Sequence, residues 1–157
     1  MKFLATKELR DNQFLKYLLY GLLLFTILFL ILDLVLHHLQ IGLTFSKAVA
    51  TVLGDEESFI EPILIESLLL TIHMNLFFSM LLLLILTSIC IRVSEDKQLP
   101  RFIFHGLFVT ALLAPIFLII GYFTGKSAVM VWIVLFIIWH IVALILSLKT
   151  LYLVYKL

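Results

Sequence analysis

Four stretches of this chain carry no charged side chain: 17–32, 67–91, 102–124 and 127–148. A hydrocarbon core of about 30 Å takes about 20 residues of helix, each rising about 1.5 Å. Every stretch reaches that length or nearly so with its flanks. The pattern predicts an all-α, integral membrane, antiparallel four-helix bundle, with spans over about 14–37, 62–93, 102–123 and 128–150 of one membrane domain.

The connections carry their own signals. Between spans one and two, Phe45, Val49, Val52 and Leu53 recur at helical spacing, which predicts a short helix on the outer membrane surface. Gly54 and the run Asp55-Glu56-Glu57 end it, and Pro62 suits the first turn of span two. The loop 94–101 is short and polar, with Pro100 just before span three. Pro115 predicts a kink in that span. Gly106, Thr110 and Ala114, four residues apart, offer a close-packing face. Thr124-Gly125-Lys126 reads as a tight turn into span four.

Composition narrows the class. The chain has 157 residues and is 64% hydrophobic, where soluble domains are about 45–50% apolar. Four spans leave no room for a soluble catalytic domain. A net charge of +1 leaves no nucleic-acid footprint. The single cysteine, Cys90, excludes an intrachain disulfide and covalent haem attachment. No hydrolase triad, phosphate loop or H-E-x-x-H motif is present, and enzyme activity is left open. The first apolar stretch is too long for the core of a signal peptide and is expected to stay in the mature protein.

Charge sets orientation. Lys2, Lys7, Arg10, Lys16, Arg92, Lys97, Arg101, Lys149 and Lys156 fall on one side of the predicted spans, and only Lys47 and Lys126 on the other. Basic residues favour the cytoplasmic side, so both termini are expected there, in a bacterial inner (plasma) membrane. Tyr17, Tyr20, Tyr152 and Tyr155 mark the inner boundary as an aromatic belt.

The candidate chemistry lies in histidines within or beside every span: His37, His38, His73, His105 and His140. Imidazole suits metals, haem and protons, and an ionisable group deep in lipid reads as functional by default. His73 and His140 lie deepest. His105, one turn inside a boundary, more often completes packing. Span two has two polar faces. Glu66, His73, Met80 and Thr87 recur every seven residues. Thr71, Asn75 and Ser79 point away from His73. These faces can equally form hydrogen-bonding seams within the bundle. Asp33 precedes His37 by four residues, so the two can meet as carboxylate and imagined ligand, or as a wet interfacial pair.

Depths at about 1.5 Å per residue put His73 roughly 10 Å below the outer boundary, and His140 roughly 12 Å and His105 roughly 5 Å above the inner one. The pairs His37 or His38 with His73, His73 with His140, and His105 with His140 are candidates for a shared iron. Glu66 and His73 could also join Asp33 and His37 in one outer pocket, where two carboxylates would favour a cation.

Four antiparallel spans with intramembrane histidines on separate helices resemble the small b-type cytochrome subunits of respiratory membrane complexes. The resemblance covers the architecture and His37 or His38, His73, His105 and His140, and no sharper motif. It implies haem b held by those histidines, with electrons passing to or from a quinone or a partner subunit. A second reading is a zinc, copper or non-haem iron protein using Asp33, His37, Glu66 and His73. A third is a non-catalytic membrane subunit or scaffold. The expected partners are the lipid bilayer and either a second copy of the chain or a larger membrane complex.

Overall fold

The computed structural model describes residues 12–93 and 101–156, and no side chain at Arg101. Lys2, Lys7, Arg10, Lys97 and Pro100, used above for orientation and loop boundaries, lie outside the described residues. Among the described residues there are five helices: α1 (Gln13–Gln40), α2 (Phe45–Leu53), α3 (Ile65–Val93), α4 (Arg101–Thr124) and α5 (Lys126–Lys156). All but α2 are long and apolar enough to cross a membrane. Large apolar side chains such as Leu32, Leu84, Val109 and Ile145 stay exposed on their outer faces, as lipid contact requires.

The ends of the helices follow local chemistry. Asn12 caps α1, its side-chain oxygen accepting the Leu15 N–H at 3.1 Å. At the other end the N–H groups of Ile41 and Gly42 both bond the His37 carbonyl, with Gly42 at φ +94°. In α2 the buried residues are Ala48 and Val52, while Phe45 lies outside the packed face. Val49 and Leu53 pack against the core beside them, so the short helix seats on α5 and α4 through most of the face its sequence suggested. Pro62 does not start a helix. It lies against Gly54, in an extended segment tied by Ile63 N–H to the Thr51 carbonyl at 2.9 Å, and α3 begins at Ile65.

The close approach of α4 and α5 is at Gly121, not Gly106. A Cβ on Gly121 would lie 2.8 Å from Val129 Cγ2 and 3.0 Å from its backbone nitrogen, whereas Gly106 has nothing within 4 Å. The α4 helix continues past Pro115 to Thr124, and Gly125 (φ +103°) makes the turn.

The packing centre is α5. It contacts every other helix, and Trp132, Phe136, Trp139, His140 and Ala143 along it are buried. Both α1 and α3 lean on it but meet each other only sparingly. That leaves a cleft between α1 and α3, with α5 as its floor.

Candidate functional site

One carboxylate gathers the polar side chains at this cleft. Asp33 projects from α1 one helical turn before His37. His37 Nδ1 donates to the Asp33 backbone carbonyl at 3.0 Å and lies 3.3 Å from Asp33 Oδ1. The four-residue spacing that allowed the pair in the sequence is realised, and both side chains are buried. From α5, His140 Nε2 reaches Asp33 Oδ2 at 2.9 Å. From α3, Asn75 Nδ2 donates to the same oxygen at 3.3 Å and makes a longer contact, 3.4 Å, with His37 Nε2. Three helices thus converge on Asp33.

The tautomer of His140 follows from its partners. Its Nδ1 is 2.8 Å from the Phe136 carbonyl, which can only accept, so Nδ1 carries a proton. A neutral imidazole would then turn the Nε2 lone pair toward the Asp33 carboxylate, 2.9 Å away. Two lone pairs do not share that distance without a proton between them. The pair is either imidazolium with carboxylate or imidazole with carboxylic acid, and both forms are neutral overall. Neutrality is what a site inside a membrane bundle requires, because an unpaired carboxylate there is costly.

Aromatic rings fix the imidazoles. Phe136 lies between them, its centroid 4.5 Å from that of His37 and 4.2 Å from that of His140. Trp139 stacks on His140 at 3.7 Å. The Trp139 indole nitrogen is buried without a hydrogen-bond partner among the described residues. His140 is fully buried, whereas Asp33 and His37 border a cavity of about 350 Å³ in the α1–α3 cleft. Asn75, Thr71 and Gln40 add polar groups to its wall, and Phe29 and Phe78 close one end.

The other sequence candidates do not join this centre. His38, His73, His105 and Glu66 are exposed on the outer faces of their helices. The expected convergence of Glu66 and His73 with Asp33 and His37 is not realised. Residues two apart on a helix point about 200° away from each other. Once Thr71 and Asn75 face α1, His73 must face out. Among the described residues, no group of three or more His, Cys, Asp or Glu side chains is arranged to hold a metal ion.

The contact between Asp33 and His140 was not among the pairs weighed from sequence. Asp33 was weighed only against its outer neighbours His37, Glu66 and His73. The α5 helix has 31 residues, about 46 Å of helix, well beyond the membrane core. Its register against α1 is set by packing and not by shared boundaries. Asn75 was visible in sequence as an amide deep in a span, but not its partner.

Residues 42–157 match the Aq_1264_TM family, described as a transmembrane helical domain. The chain belongs to the Aq_1264_TM family. The matched segment contains α2 to α5, including Asn75, Phe136 and His140, while Asp33 and His37 precede it. No curated protein and no solved structure matches the chain. Family membership and four apolar spans together make this an integral membrane protein.

Proposed function

We propose that this protein is a membrane-embedded acid–base centre, in which Asp33 and His140 hold one exchangeable proton and His37 and Asn75 connect it to the α1–α3 cavity. The observation that carries the reading is the 2.9 Å contact of His140 Nε2 with Asp33 Oδ2 while Nδ1 is committed to the Phe136 carbonyl. That geometry supports a proton held between the two groups. His37, bonded to Asp33 and bordering the cavity, is the group through which it exchanges.

The centre is open on one side. Deeper in the bundle the buried hydroxyls of Thr26, Thr87, Ser147 and Thr150 each donate back to their own helix, at 2.7–2.8 Å. Among the described residues these hydroxyls form no directed chain of donors onward from His140. The site therefore suits proton exchange with a reactant in the cleft and not conduction across the bilayer. Haem ligation fits less well. It would require His140 Nε2 to leave Asp33, and His73 and His105 lie exposed on outer faces. The acid–base reading needs no rearrangement.

The test is ¹⁵N-histidine NMR of the protein in lipid nanodiscs. His140 should show a protonated Nδ1 and a second proton shared at Nε2, exchanging with water through His37. Asp33→Asn should abolish the shared-proton signal and leave an ordinary neutral imidazole. A wild-type His140 that is neutral, unshared and blind to pH would reduce the cluster to a structural seam.

A further inference from the structure

The α1–α3 cleft is longer than the polar cavity at its head. A second, narrower cavity of about 70 Å³ adjoins it and shares Phe29 and Phe78 as walls. It continues along α1 past Phe25 to Leu22 and along α3 past Leu81 to Ile85. Thr26 contributes no free donor there, because its hydroxyl bonds the Leu22 carbonyl at 2.8 Å. From Asp33 to Leu22 is eleven residues of helix, about 16 Å. The cleft thus has a polar head and an apolar groove in line, within the span.

We propose that this cleft binds a single-chain membrane amphiphile whose head donates hydrogen bonds and carries no negative charge. The lining decides the head. Among the described residues no lysine or arginine borders the polar cavity, and a carboxylate does. Asp33 accepts, the one lone pair of His37 Nε2 faces Asn75 Nδ2 at 3.4 Å, and the Thr71 hydroxyl spends its proton on the Ser67 carbonyl at 2.9 Å and can only accept from a ligand. The amides of Gln40 and Asn75 can serve either role, but the carboxylate and the Thr71 oxygen accept, which favours a hydroxyl or ammonium and disfavours a phosphate or carboxylate. The tail follows from the apolar groove, and entry from the sparse contact of α1 with α3, which leaves the cleft accessible from the bilayer. The choice of head rests on the acid–base reading, since the head would meet the proton held by Asp33 and His140. The tail groove does not depend on it.

The experiment uses two photoreactive probes with the same single alkyl tail, a long-chain alcohol and the matching alkyl phosphate. Both are added to the protein in phosphatidylcholine bilayers, and the adducts are mapped by mass spectrometry. The alcohol should label 22–29 and 78–85 several-fold above the outer face of α4, and the phosphate should show no preference. Asn75→Leu should reduce the alcohol preference. Phe25→Trp with Ile85→Trp, which fills the groove, should abolish it while helix content and the His140 NMR signal stay unchanged. Labelling spread evenly over all outer faces would mean ordinary boundary lipid and overturn the proposal. So would equal labelling by both probes, or covalent dimers joined through α1 and α3, which would mean that a second copy fills the cleft. Localised alcohol labelling beside a His140 that does not exchange would keep the amphiphile site and sink the acid–base reading. Exchange with diffuse labelling would do the reverse.

Discussion

Asp33 is the residue on which the others depend, because three partners from three helices satisfy one carboxylate. Removing a single partner leaves charge or lone pairs buried without compensation. Breaking a buried ion pair from one side costs about 3–5 kcal/mol, while replacing both partners by apolar groups is often near neutral. His140→Leu alone should therefore destabilise by about 3 kcal/mol, read from denaturant or thermal unfolding in detergent. Adding Asp33→Leu should recover most of the loss. A double variant as unstable as the sum of the singles would show that the two side chains are not coupled.

At the scale of the element, the decisive feature is which face each helix turns inward. On α3, Glu66–His73 and Thr71–Asn75 were both polar stripes, and helix geometry permits only one to face Asp33. The competition went to the stripe carrying Asn75, whose amide can both donate and accept. On α4 the sequence pointed to Gly106, with Thr110 and Ala114, as the close-packing face, and the tight glycine contact is instead at Gly121. Gly121→Ala should loosen the α4–α5 pairing, because the new methyl would meet the Val129 backbone at 3.0 Å. Gly106→Ala meets nothing and should stabilise α4 by about 0.5–1 kcal/mol. Paired unfolding measurements on the two variants check the contrast. Equal effects would remove Gly121 as the contact point.

At the scale of the whole molecule, α5 organises the fold and the others dock on it. Four spans in alternating direction put the start of α1 at Gln13 and the end of α5 at Lys156 on one side, with α2 on the other. From the excess of lysine and arginine in the sequence on that side, we propose that it is cytoplasmic. A C-terminal reporter that is active only when exported should be silent. A cysteine introduced at Glu57, in the turn after α2, should react with an impermeant thiol reagent added outside intact cells. Reporter activity or a protected Glu57 position would reverse the topology.

Much of this was legible from the chain alone. Apolar runs of span length dictate helices in a bilayer, because no other open backbone structure satisfies its own hydrogen bonds there. Local spacing also set the Asp33–His37 contact, since residues four apart on a helix are neighbours whatever surrounds them. What only the tertiary structure decided was the rotation and register of one helix against another. A uniformly apolar helix does not mark its inward face, and a 31-residue helix in a membrane core of about 30 Å can slide by several turns. His140 therefore met Asp33, Asn75 turned in and His73 turned out through packing against α5, a choice among non-local contacts that no local pattern in the sequence encodes.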